Sequence, residues 1–197
     1  MSKAQIPTLA VNDQLEIAGA LVIRSRVFFD AWYLSAGFDG RSSHFDFWDE
    51  YWAFWRFNEH ALLFAFIVHM AGLFETREDT VNLRQIWVTV KFDASEKEKQ
   101  EAEKLLQDTS ILTKAVMMLR NNAMAHRSAS LSYNSAFDKA QVTPDQLRQL
   151  NGIAFELVNI MRSVVGLQKI ELDYVAIGRL QALANVAAPS SKPLFIS

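Results

Sequence analysis

A chain of 197 residues, half of them hydrophobic and 21% charged, is long enough to bury a core and has the composition of a globular protein. Seven glycines and four prolines favour helices over a turn-rich all-β fold, and the lack of cysteine excludes disulfides, thiolate catalysis and cysteine zinc sites. A net charge of −2 supplies no global basic footprint for nucleic acid, so any RNA contact has to come from a local patch.

Residues 1–11 read as a loosely held lead-in without the start of a signal peptide, and a cytoplasmic chain is expected. From Asn12 or Asp13 as N-cap, a helix is expected to about Ala36, with Leu15, Ala18, Leu21, Val22, Phe28 and Phe29 as its apolar positions and Arg24 and Arg26 exposed. A turn follows over 37–43. The stretch 45–57 is the most aromatic. Trp48, Tyr51, Trp52 and Trp55 recur at i, i+3, i+4 and i+7, which favours helix, but the aromatics wrap around more than one face. That pattern points to packing against a second chain, with a base-stacking platform as the alternative.

A kink or a continuation at residues 58–60 leads into the apolar run 61–74. At 14 residues that run is too short to cross a bilayer and suits a buried helix containing His69. Glu59 and His60 are candidates to face a later functional helix. Residues 77–80 form a polar turn, with Asp79 or Thr80 capping a short helix striped by Leu83, Ile86, Trp87 and Val90. The mixed charges of 92–104 read as the solvated beginning of one long helix. Its apolar stripe (Leu112, Ala115, Val116, Leu119, Ala123) carries it through Arg120 to His126. A loop is expected from there to about Val142. Thr143-Pro144-Asp145-Gln146 then starts a strong helix, with a threonine N-cap, proline at N1 and glutamine at N3. Its core stripe runs from Leu147 to Val165. A last helix over 170–186 and a tail over 188–197 complete what reads as one all-α domain, an antiparallel helical bundle.

The chemistry is concentrated in residues 118–128. Arg120 is a permanent planar cation able to grip a phosphate through two parallel hydrogen bonds. His126 titrates near neutral pH, and Asn121 can orient either group without adding charge. Lys114 and Arg127 could complete a local cationic patch. On a regular helix Arg120 and His126 stand about two-thirds of a turn apart and ~9 Å apart along the axis, which is poor geometry for a one-chain site. The competing reading is a core histidine with one hydrogen bond, beside an Arg-Asn-Asn that merely ends a helix.

Arg120-Asn121 followed by His126 resembles the Arg-polar-x(n)-His signature of the HEPN superfamily (higher eukaryotes and prokaryotes nucleotide-binding). The flanking Leu119 and Ala125-His126-Arg127 look most like its abortive-infection U branch. The resemblance implies a four-helix core with shorter helices, and a homodimer that gathers two Arg and two His at a composite site. It further implies metal-independent RNA cleavage needing no cofactor, in a phage-defence or toxin setting with a possible antitoxin partner. His126 would take the proton of an attacking 2′-OH, Arg120 would neutralise the phosphorane, and Asn121 would orient base or phosphate. A related toxin group carries tyrosine two residues after the histidine; position 128 here is serine. A non-catalytic HEPN module that binds nucleotide, RNA or protein, and a purely structural helical dimer, are the alternatives.

Overall fold

The computed structural model describes residues 9–36, 49–125 and 133–172. Expectations for the lead-in before residue 9, the turn at 37–43, the aromatics at 45–48, residues 126–132 and the chain beyond 172 lie outside the described residues.

The described chain is all-α. Helix α1 (Val11–Ala36) is followed by α2 (Trp52–Phe74), the short α3 (Leu83–Val90), α4 (Glu96–Asp108) and α5 (Ser110–Leu119). A π-helical turn (Arg120–Ala125), α6 (Tyr133–Ala140) and α7 (Pro144–Val164) complete it. Helix α1 packs along α2 and α7, and the core forms where these three meet. Leu15, Ala18, Val22 and Phe29 of α1 are buried there with Phe66, Ile67 and Met70 of α2. Leu150, Ala154, Leu157, Val158 and Met161 of α7 close it from the other side. At ~25 cal/mol per Å² of apolar surface, each such aliphatic or aromatic side chain contributes roughly 1.5–3 kcal/mol before chain entropy is charged against it.

One polar cluster fixes the register of these helices. Asn151, fully buried, donates through Nδ2 to the Val22 carbonyl at 3.2 Å and to Ser25 Oγ at 2.8 Å, and lies 3.7 Å from Met70 Sδ. Ser25 in turn donates to the Val22 carbonyl at 2.8 Å. A slip of α7 along α1 would strand these groups without partners, which is costlier than losing an apolar contact.

The start of α7 is as expected: Thr143 and Gln146 form a reciprocal capping box and Pro144 occupies the first turn. Beyond α7, Asn159 clamps the returning chain by accepting from the Ile170 N–H and donating to its carbonyl. Ile170 packs over Gly19, where an added Cβ would stand 3.4 Å from Ile170 Cγ2, in ordinary van der Waals contact.

Several expectations are corrected. Of the kink or continuation left open at residues 58–60, the structure has the continuation, since α2 runs through them. The cap of α3 is Asn82, whose side chain accepts from the Gln85 N–H, rather than Asp79 or Thr80. Asp79 instead holds Arg77 through two contacts at 2.9 and 2.6 Å. Arg26 is only partly exposed because Asp30, one turn on, pairs with it at 2.7 Å. The expected loop before Val142 contains a helix, α6. Residues 170–172 are not helical, so no helix starts at Ile170.

The largest correction concerns the long helix expected from the charged run to His126. It is interrupted for one residue at Thr109, across which the Thr109 N–H to Leu105 and Thr113 N–H to Thr109 bonds still run, and it widens into a π turn at Arg120. Thr109 is buried and its hydroxyl donates to the Leu106 carbonyl at 2.9 Å, a back-bond of the kind that bends helices.

Candidate functional site

The signature begins where regular helix ends. Leu119 and Val116 are buried and anchor the last turn of α5, and from Arg120 the backbone opens into the π turn. Asn122 Nδ2 donates to the Met118 carbonyl at 2.9 Å and ties the start of the turn to the helix before it. Asn58 makes the same bond to the Phe54 carbonyl inside the regular helix α2, so this bond alone does not open the turn. Such turns are rare and concentrate at functional sites.

The π turn changes the local geometry in a way that regular spacing does not anticipate. Neighbouring side chains on an α-helix do not face one another. Here Arg120 Nε donates to Asn121 Oδ1 at 3.2 Å. The 100°-per-residue estimate that separates Arg120 from His126 therefore does not hold across residues 120–125. His126 and Arg127 themselves lie outside the described residues.

A second helix completes the setting of Arg120. Its Nη1 donates to Glu75 Oε2 at 3.1 Å. Glu75 is the C-cap of α2 and is buried, its side chain 10% accessible against 25% for that of Arg120. Arg120 is thus held at Nε from its own turn and at Nη1 from α2. Both hydrogens of Nη2 and one of Nη1 are left over among the described contacts, enough for a two-point grip on a phosphate.

Lys114 is exposed on α5 but stands about 120° around the helix from Arg120 and ~9 Å back along the axis. The structure does not bring the two onto one phosphate. Glu59 and His60 lie on α2, roughly 24 Å and 22 Å along the axis from Glu75. The carboxylate that meets Arg120 is therefore at the far end of the helix from those two candidates. Sequence reasoning passed over Glu75. The available signal was a carboxylate directly after a long apolar run, at a helix C-terminus, where the macrodipole disfavours a negative charge unless a cation answers it.

Among the described residues, no three His, Asp or Glu side chains gather as a metal site. His69 is half-buried against the Phe28 ring, with centroids 5.5 Å apart, and its Nδ1 is buried without a hydrogen-bond partner. Desolvation first, and the Arg24 charge second, push its pKa below the ordinary histidine value. It belongs to the α1–α2 packing and not to the Arg120 site.

Comparison with known families places this geometry. The model of the AbiU2 family of HEPN proteins matches residues 16–168, most of the chain. The chain belongs to the AbiU2 HEPN family. The match spans α1 through α7, so the Arg120–Asn121 pair, the π turn and Glu75 all fall inside the family's own region. A HEPN-type module of the abortive-infection kind on an all-α bundle is thereby established. No curated protein and no solved structure matches the chain.

Proposed function

We propose that this AbiU2-family chain is a metal-independent endoribonuclease of the toxin type, acting in the cytoplasm as a homodimer. The observation that carries the reading is the setting of Arg120: a guanidinium held by Asn121 and Glu75 in a π turn, with Nη hydrogens left over among the described contacts. In this mechanism His126 takes the proton of a ribose 2′-OH, whose oxygen attacks the adjacent phosphorus. The 5′-oxygen of the next nucleotide leaves as a hydroxyl, taking its proton from solvent, and a 2′,3′-cyclic phosphate remains. Arg120 stabilises the charge that builds on the phosphorane oxygens, the kind of preorganised electrostatic help that dominates such steps. Asn121 would orient base or phosphate, and Arg127 and Lys114 would contact neighbouring phosphates.

The homodimer is supported by α2. Phe54, Phe57, Ala61, Phe64, Ala65, Val68 and Gly72 fall on a stripe about 100° wide, opposite the buried positions Leu63, Phe66, Ile67, Met70 and Phe74. Phe57 is 75% exposed and Phe54 61%. A helix that is apolar all round belongs in an interior, yet only 39% of 57–74 is buried within the chain. Counted from Phe57 the apolar stretch reaches 18 residues, long and apolar enough to cross a membrane by length and composition alone, which corrects the expectation that it is too short. A second copy is the occupant we favour, because the stripe runs down to Glu75 and hence to Arg120.

A structural reading draws on the same contact, since Glu75 and Arg120 also cross-link α2 to the π turn. RNA cleavage in EDTA, with DNA of the same sequence as control, separates the two. The ribonuclease reading expects RNA cut and DNA spared, His126→Ala at least roughly 100-fold slower, and its melting temperature near that of the intact chain. An inactive intact chain with a destabilised His126→Ala variant would hand the site to the structural reading. Sedimentation showing only monomer at micromolar concentration would remove the composite site.

A further inference from the structure

We propose that Glu75 is a positioning residue for RNA cleavage: it locks the Arg120 guanidinium so that only Nη hydrogens are presented to the phosphate. The proposal rests on the ribonuclease reading above and adds a residue from another helix to it.

Three observations carry it. The first is selective burial. The exposed residues after α2 include Arg77, Glu78 and Asp79, and Arg77 is satisfied locally by Asp79. Glu75 alone of this charged run is buried, 45 residues away in sequence from the cation it meets. The second is location. A carboxylate at the C-terminal end of a long helix faces the negative end of the macrodipole, and burial strips away the water that would compensate. Packing alone would be better served there by an apolar or neutral side chain. The third is contact geometry. A single contact at 3.1 Å through Nη1, with Nε already engaged by Asn121, fixes the plane of the guanidinium from two sides without consuming it. A bidentate carboxylate would have blocked the site, and a free arginine would sample many rotamers and meet the phosphate in the right plane only rarely. Lys114, on another face of α5, offers Glu75 no alternative role at this point.

The test combines a rate, an affinity and an order measurement on the full chain. Single-turnover cleavage of a fluorescein-labelled oligoribonucleotide in EDTA is compared for the intact protein, Glu75→Ala and Glu75→Gln. The expected result is a fall of about tenfold or more for Glu75→Ala, the scale at which misplacing a catalytic group is felt. A smaller fall is expected for Glu75→Gln, which keeps an acceptor for Nη1. RNA affinity stays level or tightens in both, because a negative charge beside the phosphate has been removed. The Nε–Hε resonance of Arg120, assigned through Arg120→Lys, should show restricted motion in the intact chain and loosen in Glu75→Ala. A merely structural role would lower rate and affinity together with the folded fraction. If Glu75→Ala does not fold, Glu75→Gln carries the comparison. A protein that cleaves RNA, and whose variants keep both the rate and an ordered Arg120, overturns the assignment alone. An intact chain that cleaves no RNA overturns the ribonuclease reading and the assignment with it.

Discussion

Removing Arg120 should damage the fold as well as any activity, and the structure says by how much. In Arg120→Met the Glu75 carboxylate is left buried at a helix C-terminus without its hydrogen-bonded cation, and Arg77, already paired with Asp79, answers it only through space. Orphaning a fully buried ion costs about 3–5 kcal/mol. Here the two side chains are 10% and 25% accessible, so partial hydration brings the expected loss to about 2 kcal/mol. For a chain of this size that is a fall in Tm of roughly 4–8 °C. Glu75→Gln alone should cost less than about 1 kcal/mol, because the amide still accepts and Arg120 can lean toward water. In the double variant Arg120→Met/Glu75→Gln the orphaned charge is gone, and so is its clash with the helix dipole, itself worth about 0.3–1 kcal/mol. The double variant should therefore recover at least half of what Arg120→Met lost. Melting curves at one fixed protein concentration, since a dimer's Tm depends on it, give the double-mutant cycle. Losses that add to within about 0.5 kcal/mol would refute the coupling. The cycle also cleans up the functional assay: a stable double variant that still fails to cut RNA has lost the phosphate grip and not the fold.

Other outcomes follow from single contacts. Asn122→Ala exchanges the bond to the Met118 carbonyl for a better helix former, so stability should stay within about 0.5 kcal/mol of the intact chain by urea denaturation, and a loss of about 2 kcal/mol or more would mean that this bond holds the turn. Thr143→Ala breaks the capping box of α7 and should cost about 1 kcal/mol by urea denaturation, and no loss would mean the cap is redundant. His69 has its pKa lowered in the fold by burial and then by Arg24, so the unfolded chain takes up that proton first. Stability from neutral His69 should be complete above about pH 6.5 and fall as pH drops below it, and His69→Gln should flatten part of that slope in urea midpoints taken at pH 7.5 and 5.5.

Much of the fold was legible because its helices are written in periodicity and caps. Leu83, Ile86, Trp87 and Val90 read as a stripe and are all buried, and the Thr143–Gln146 box sits where its residue types required. What was illegible is where the helix bends and widens. Thr109 and Asn122 carry no strong breaker signal, yet the chain turns at the first and is in a π turn at the second, along an apolar stripe that runs straight through both. The candidate site shows the same division. Arg120 and Asn121 were visible as residue types at a spacing, whereas their mutual contact depends on a π turn. Glu75 was hidden because a partner 45 residues away leaves no periodic trace. Glu59 and His60 drew attention as residues that could face the functional helix, and the geometry places them at the other end of α2 from Glu75.

The outer stripe of α2 permits one further prediction, which separates an interface from a merely exposed surface. At Gly72 an added Cβ would meet nothing within 4 Å, so a larger side chain has room in the isolated chain. Glycine inside a helix also costs roughly 0.5–1 kcal/mol relative to alanine through backbone entropy. Gly72→Leu should therefore leave the single chain as stable as before or slightly more so. If a second copy lies along Phe57, Phe64 and Val68, however, Gly72 is where two helices approach most closely, one turn before Glu75. A leucine there would wedge the copies apart beside the site. The expected outcome is a protein that melts no earlier at low concentration but sediments as a weaker dimer and cuts RNA more slowly per chain. Unchanged sedimentation with unchanged cleavage would mean that this stripe is not where the copies meet, and the dimer would have to be sought on another face.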